Sequence, residues 1–506
     1  MRKTLVSLLL ACLFAAVLIP AVGEQTPVPG KTFVVAGYAG DDAQQDFNTN
    51  LFFQRMQERT GISFDFRQFT DYAAWTAEKT RLFAGEELPD ALFGATLSPE
   101  ETLDLYQSGK LIDLAPLLKD NAPNLSALLD QNPAWRKAIT LPGGAIAALP
   151  ALDTLRAQNA MWINKTWLER LKLNVPTDAA SLKAVLEAFK TGDPNYNGRA
   201  DEVPFTFLGP WDLKFLAHAF GLYANDYNVY ADAAGKAQFM PAGDKYREFV
   251  AWAKDLYDLK LLDHDGFVTA DALRKVTDEK AAVTYGLFFG PSPTTFLPAK
   301  LGEEYMLLSP LQYEGKQVYR SFLDSVSRGA FAITSACKDP AALLQWVDYL
   351  YTQEGGTLAM LGQENAEYAF NENGTWRWLY PAEELTTVIT AATLRNSDIY
   401  PVLNPVDFQL RFEDAQTVQL LRSMKELGEI AALPFPSYTL TREQQEALAP
   451  MQMEIGRFVD ESLARFVISE TELNDETWQS YLDTLNEKGL SSFIALWQQV
   501  LDGQVQ

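Results

Sequence analysis

Strand-like and helix-like runs alternate along most of this chain, and that alternation limits the fold more than any other feature. Phe33-Val34-Val35-Ala36 is a buried-strand run that ends at Gly37. Residues 46–59 then carry Phe47, Leu51, Phe52 and Met56 on one side of a helix that Gly61 stops. Ile62, Phe64 and Phe66 alternate with polar residues, the period of a strand. Thr177 reads as the cap of a helix whose Leu182, Val185, Leu186 and Phe189 share a face. Asp339-Pro340 starts another, with Leu343, Val347 and Leu350 aligned. From about Arg442 the chain is helical to its end: Leu448, Met451 and Ile455 form one stripe, and Trp478, Leu482 and Leu485 form another before Gly489. Strands alternating with helices imply an α/β fold with largely parallel sheets, and 506 residues allow two such units.

The N-terminus reads as a leader. Arg2 and Lys3 precede an apolar run from Leu5 to Ile19, Pro20 breaks it, and Ala21 and Gly23 are small at the positions a signal peptidase reads. The run is shorter than the about 20 residues a membrane span needs. The expectation is a signal peptide over 1–23, a tether over 24–30, and an exported, extracellular or periplasmic chain associated with the cell envelope. Leu9-Leu10-Ala11-Cys12 resembles a lipobox, but Cys12 is read as an ordinary member of the apolar run, so a lipid anchor there is not favoured. Beyond the leader only Cys337 remains, so no internal disulfide can form and the core must hold the chain together. Without Arg2 and Lys3, 40 basic residues face 66 acidic ones, a net charge of −26. That balance excludes nucleic acid and anionic membranes as partners and suits solubility outside the cell.

No nucleophile elbow, H-E-x-x-H zinc motif or phosphate-binding loop is present. His218 lies in the apolar run Phe215–Phe220 and reads as a satisfied core histidine; His264 reads as a loop or cap residue. Carboxylate pairs adequate for a glycosidase cannot be picked out of 66 acids. The one sharp motif is Asp193-Pro194-Asn195-Tyr196-Asn197-Gly198-Arg199-Ala200-Asp201-Glu202. Oxygen side chains stand at loop positions one, three and five, and Gly198 stands at six, where a calcium loop turns sharply. Position twelve is Pro204 rather than Glu, so Asp201 and Glu202 would have to close the shell. The competing reading is an Asx-rich turn before the strand at Val203–Phe207.

With these pieces in order the chain resembles extracellular solute-binding proteins of the large carbohydrate-binding group, and looks most like the alginate-oligosaccharide-binding branch and its lipoprotein relatives. The resemblance rests on Glu87-Leu88-Pro89-Asp90-Ala91-Leu92-Phe93-Gly94, Gly109-Lys110-Leu111-Ile112-Asp113-Leu114, Ala122-Pro123-Asn124-Leu125 and Ile139-Thr140-Leu141-Pro142-Gly143-Gly144. It continues through Trp162-Ile163-Asn164-Lys165-Thr166-Trp167-Leu168, the 193–202 loop, Phe267-Val268-Thr269-Ala270-Asp271 and the Trp478–Gly489 helix. Single tetrapeptides are weak signals; their order along nearly the whole chain is the specific one. In that group the loop holds a structural Ca2+. Its ligands here would be Asp193, Asn195, Asn197, Arg199 through its backbone, Asp201 and Glu202. Tyr196 stands where relatives often have Gly.

The resemblance implies a two-lobed periplasmic-binding-protein-like fold with a hinge and an interlobe cleft. The implied division places 31–150 and about 323–396 in lobe 1, and 151–322 and about 397–506 in lobe 2 with the calcium loop. Ala148-Leu149-Pro150-Ala151 and Phe322-Leu323-Asp324 are the candidate crossings. Sugars need flat apolar faces and polar groups for their hydroxyls. Aromatics that follow predicted strands are the candidate ligand-binding residues: Tyr38, Trp162, Trp211, Tyr285 and Tyr400. Lys165, Arg320, Arg328 and Arg395 lie within reach of the crossings and could decide ligand charge. The implied function is the substrate-binding component of an ABC importer. It would act as a monomer, capture an oligosaccharide in the cleft and deliver it to permease subunits, with no catalytic residue. The alternatives are an exported glycan-active lyase or glycosidase and a peptide receptor of the same fold. The net charge favours a neutral or mixed glycan over a uronate chain.

Overall fold

The structure, a computed structural model, describes residues 30–41, 44–85, 87–155, 159–268, 283–320, 326–394, 398–436 and 438–503. The leader with Cys12, the first six tether residues, Thr269-Ala270-Asp271, the crossing candidate Phe322-Leu323-Asp324 and Arg395 lie outside the described residues. Among the described residues no helix is long and apolar enough to cross a membrane.

Nine strands build the two main sheets: β1 Lys31–Tyr38, β2 Ile62–Phe69, β3 Ala91–Phe93, β4 Leu149–Leu152, β5 Ala160–Asn164, β6 Val203–Phe205, β7 Tyr285–Gly290, β8 Tyr305–Leu308 and β9 Val326–Ile333. The first sheet has the order β2-β1-β3-β9-β4 and the second the order β8-β5-β7-β6. β1 pairs in parallel with β2 and β3, whereas β9 is antiparallel to both its neighbours. In the second sheet β6 and β7 are parallel and β5 runs against both β7 and β8. Each sheet is therefore parallel apart from one reversed strand. The reversed strands, β5 and β9, are the ones that follow a passage between the sheets. Apolar alternation marks a strand's existence and face but carries no direction, so the reversals are not legible in sequence.

Each sheet anchors its own core. Phe33, Val35, Phe47, Phe52, Phe53, Phe93 and Trp346 pack around the first; Trp162, Trp167, Phe205, Leu287, Leu463 and Trp497 pack around the second. The C-terminal helices Arg442–Val467, Asp475–Glu487 and Leu490–Gly503 close the second core. Local signals behave as their chemistry requires. Asp339 caps its helix by accepting from Ala342 N, with Pro340 in the first turn. The 179–191 helix is capped by Asp178 in a capping box with Ser181, one residue past Thr177. The first helix is shorter than its apolar pattern, Leu51–Thr60, because Asn50 accepts from Phe52 N and starts it there. Gly37 does not end its strand. β1 passes through it, and a Cβ at Gly37 would meet the Phe93 carbonyl oxygen at 1.7 Å, so the glycine lets β1 and β3 close up.

The passages differ from the expected ones. Ala148–Ala151 is no crossing: Leu149–Leu152 is a fully buried edge strand of the first sheet. The chain leaves that sheet after Leu152, and Ala160 opens β5 in the second. On the way back Tyr319 packs in the second core and Val326 in the first. The expected return to lobe 2 at 397 comes too early. Tyr400 and Val402 belong to the first core, and Phe408 belongs to a small hydrophobic cluster with Leu361, Tyr368 and Trp376. The second core regains the chain in the helix Ala415–Ile430 through Leu427. Proline breaks and helix caps occur at many places, and only packing tells which of them is a hinge.

Candidate ligand cleft and calcium loop

The two sheets point their working ends at each other. The carboxyl ends of β1, β2 and β3, with the amino end of β9, face the space between the lobes. So do the carboxyl ends of β6 and β7 with the amino end of β5. Ligands of open α/β sheets bind at such ends, where loops rather than packed strands form the surface. A cavity of about 400 Å3 lies there. Pro99, Glu100 and Val326 line it from the first lobe, and Asp226, Tyr227 and Phe435 from the second. Arg328 Nη1 donates to the Tyr438 carbonyl at 2.7 Å, a hydrogen bond from β9 of one lobe to the 433–440 segment of the other.

Aromatic and charged groups alternate around this space. Tyr72 begins the helix Tyr72–Phe83, just beyond β2, and is 47% exposed. Trp211, in the first turn after β6, is 46% exposed and sits edge-on to Phe215 at 6.3 Å. Tyr227 lies 5.4 Å from the buried Trp497, which Tyr438 also touches. Arg320 Nη2 donates to Asp226 at 2.6 Å, and its guanidinium lies over the Phe215 ring. Burial lowers the Arg320 pKa from its ordinary value, and Asp226 opposes the shift. Burial raises the Tyr438 phenol, so it stays a neutral donor. The surface offers ring faces and mutually paired charges, the chemistry of a polyhydroxylated ligand without net charge.

Only part of this was placed by sequence. Trp211 lines the cleft, as do Arg320 and Arg328. Trp162 does not: it is buried in the second core, where its Nε1 donates to the Gly290 carbonyl at 2.9 Å. Tyr400 is likewise fully buried, and its hydroxyl accepts from Gln45 Nε2 at 2.9 Å. Tyr285 opens β7 at the end of the sheet remote from the cleft, paired with Val203; burial, then Asp263 and Asp265, push its pKa up to about 12. Tyr38 is buried behind the cleft surface and supports Tyr72 edge-on at 5.4 Å. Lys165 follows β5 at its remote end, its backbone N–H on the Glu304 carbonyl. Following a strand puts a residue at one end of a sheet, but strand direction decides which end. Tyr72 satisfies the same rule and was missed; Tyr227 and Tyr438 sit in loops, with Pro434-Phe435-Pro436 as the only sequence signal for the second.

His218 is a core residue, as its context indicated. It is 2% exposed, its Nδ1 pairs with the Phe215 carbonyl at 2.6 Å, and its Nε2 accepts from Leu311 N at 3.0 Å. Burial pulls its pKa down to about 4. His264 stacks on Tyr257 at 4.2 Å in a short turn capped by Asp263.

The 193–202 loop sits at the opposite end of the second sheet, tied down by Asn195 Nδ2 on the Val283 carbonyl. Asp193 Oδ1 accepts from Asn197 N and Gly198 N, and Asp201 Oδ1 accepts from the amides of Asn195 and Asn197 at 3.2 and 2.9 Å. Arg199 N donates to Asn197 Oδ1 at 2.8 Å. Gly198 takes φ 69°, and Tyr196, without a glycine's freedom, takes φ 56° with its ring under the Arg170 guanidinium at 4.8 Å. Glu202 is buried, and its Oε1 has no hydrogen-bond partner among the described residues. Burial raises its pKa, followed by the charges of Asp201 and Asp193. Among the described residues no three His, Cys, Asp or Glu converge into a metal cluster by themselves. A cation here would need the two Asn oxygens and a carbonyl as well, and a hard ion that takes six to eight oxygens accepts that mixture.

No protein-family model matches the chain. In sequence it is 26% identical over 501 residues, 90% of this chain and 88% of the relative, to the fructooligosaccharide ABC transporter substrate-binding protein FusA of Streptococcus pneumoniae serotype 4. The solved structure of FusA with kestose superposes with a TM-score of 0.68 at 24% identity, covering 93% of this chain and 99% of that one. FusA has also been solved as an EF-hand mutant with fructo-nystose. An HMO-binding ABC-transporter-associated solute-binding protein of Bifidobacterium longum infantis aligns at TM-score 0.77 and 21% identity over 94% of this chain and 99% of that one. Alginate-binding AlgQ2, solved without calcium, aligns at 0.64 and 18% over the same shares. The chain thus shares the two-lobed fold of sugar-binding proteins of ABC transporters, and its sequence resembles one of them along nearly its whole length.

Proposed function

We infer that this chain is the substrate-binding component of an ABC importer and that it captures an oligosaccharide in the interlobe cleft. The observation that carries the reading is the cleft lining: Tyr72, Trp211, Tyr227 and Tyr438 surround the Arg320–Asp226 pair and Arg328 between two lobes. Rings stack on sugar C–H faces while the paired charges and carbonyls meet hydroxyls. Because Arg320 is held by Asp226, and Glu100 lines the same cavity, the cleft suits a neutral glycan better than a uronate chain. FusA and the Bifidobacterium protein, by name, take fructooligosaccharides and HMOs, which agrees. The chain binds rather than transforms its ligand; the buried, neutral His218 is no base for glycan chemistry. It is exported with cleavage after Gly23 and hands its ligand to permease subunits as a monomer.

Calorimetry of the purified chain against kestose, nystose, lacto-N-tetraose, an alginate tetramer and a peptide pool tests the reading. The expected result is binding of a neutral oligosaccharide, none of alginate, and no new reducing ends after prolonged incubation. Tight binding to peptide with no response to any sugar would sink the carbohydrate assignment.

We further propose that Asp193, Asn195, Asn197, the Arg199 carbonyl, Asp201 and Glu202 hold a structural Ca2+. The buried Glu202 oxygen without a partner supports this, since an uncompensated buried carboxylate is costly. Bound there, the ion supplies positive charge to three neighbouring carboxylates. The loop lies at the far end of the second sheet from the cleft, so its role is to clip β6 and β7 in place. The EF-hand mutant of FusA is consistent with such a loop in a relative.

A further inference from the structure

The ladder between β9 and β4 is interrupted where β9 enters the first lobe. Ser327 pairs with Ala151 and Phe331 with Leu149, so Arg328, Gly329 and Ala330 stand opposite Pro150 alone. Proline has no N–H to give to a ladder, and a bulge lets the neighbouring strand pass it. The bulge is fixed from its other side. Gly329 takes φ 69°, and a Cβ there would meet the Leu97 carbonyl oxygen at 2.1 Å. The N–H groups of Leu97 and Ala95 donate to the carbonyls of Gly329 and Ala330. Bulges bend a strand and re-aim its side chains. Here the side chain is Arg328, whose guanidinium leaves the sheet and reaches the Tyr438 carbonyl in the second lobe at 2.7 Å.

The acceptor is held firmly by its own lobe. Ala231 N donates to the Pro434 carbonyl at 2.8 Å, and the rings of Phe435 and Tyr438 pack on Trp497 with centroids 5.1 and 5.0 Å away. Tyr438 therefore moves with the second lobe, as Arg328 moves with the first. Beside them Thr439 is buried and shares a small cavity with Thr102, Ile139 and Gly329 of the first lobe. A hydrogen bond from a charged donor is stronger than a neutral one, but it fails once its heavy atoms part beyond about 3.5 Å. Moving the lobes apart by about 1 Å at this point breaks it.

Resting on the transport reading, we propose that Arg328 is a positioning residue, a latch that holds the two lobes together before a sugar arrives. It acts on binding through the lobe equilibrium and not through contact with the ligand. A sugar that needs the closed form binds with an affinity scaled by the fraction of chains already closed. The latch therefore raises affinity by one factor for every sugar, and selectivity among sugars is left to the rings of the cleft.

The test is small-angle X-ray scattering of the sugar-free full chain, joined to calorimetry with kestose, nystose and lacto-N-tetraose. The native chain is expected to scatter as this structure does. Arg328→Met keeps the stem and removes the donor, so the ratio of closed to open chains should fall about tenfold, read as a larger radius of gyration without sugar. Saturating sugar should return the variant to the native radius, and each Kd should rise by one common factor. A native sugar-free curve that fits only wider-set lobes would overturn the latch without any variant. So would a variant whose sugar-free radius is native, or one whose losses are unequal between sugars, the mark of a direct contact. If the native chain binds no sugar at all, the transport reading falls, and the two scattering curves alone decide the latch.

Discussion

His218 offers a quantitative check on the second lobe, because its environment fixes the sign and size of a pH effect. The imidazole is fully enclosed, and each ring nitrogen has one partner that suits the neutral form: Nδ1–H donates to the Phe215 carbonyl, and Nε2 accepts from Leu311 N. Protonation would strip the second bond and place a charge in the core. Its folded pKa is about 4 against 6.5 for an ordinary histidine. A lowered histidine pKa means that the unfolded chain binds the extra proton first. Stability is therefore complete above pH 6.5, falls as pH drops through the window between 6.5 and 4, and levels off below it. The full loss is about 3 kcal/mol, of which about 2 kcal/mol is reached at pH 5. For a lobe of this size that corresponds to about 4–8 °C in melting temperature. His218→Gln keeps a donor and an acceptor but cannot titrate. Melting curves of both proteins between pH 7.5 and 4.5 should converge as pH falls, the native chain losing more. Taking the difference cancels the carboxylates, including Glu202, whose raised pKa contributes the opposite slope. Parallel pH profiles for the two proteins would refute the assignment of a buried neutral histidine.

Chelation should lower the melting temperature of the native chain, since an ion bound only to the folded state at a hundred times its dissociation constant adds about 2.7 kcal/mol. Asp193→Ala should be insensitive to chelator, and equal insensitivity of the native chain would reduce the loop to a turn. Trp162→Ala, in the second core, should cost about 3–5 kcal/mol in denaturant melts. Trp211→Ala, half exposed in the cleft, should keep the native melting midpoint yet weaken oligosaccharide binding about tenfold or more; the reverse pattern would exchange their roles. Mass spectrometry of the exported protein should find Glu24 at the N-terminus, and a diacylglyceryl Cys12 there would show that the lipobox is used.

The tight turn of the 193–202 loop and the helix caps were legible because their chemistry is local. Alternating oxygens over ten residues, an Asp before a Pro, or a Gly after an apolar stripe states its geometry within one turn of chain. The alternation of strands and helices was legible for the same reason, as was the burial of His218 within its apolar run. The sequence could not say which way a strand runs or which strand lies beside it, because the pairing of β9 between β3 and β4 joins residues more than 170 apart. Pairings of this kind, one set in each sheet, decide which end of each sheet faces the cleft. They turned Trp162 and Tyr400 into core, sent Tyr285 to the end beside the 193–202 loop, and brought Tyr72 and Tyr438 from opposite lobes to one surface. An aromatic ring gains from burial whether a core or a sugar covers it. Local sequence therefore determined that these rings would be covered, and the three-dimensional arrangement of the two sheets decided by what.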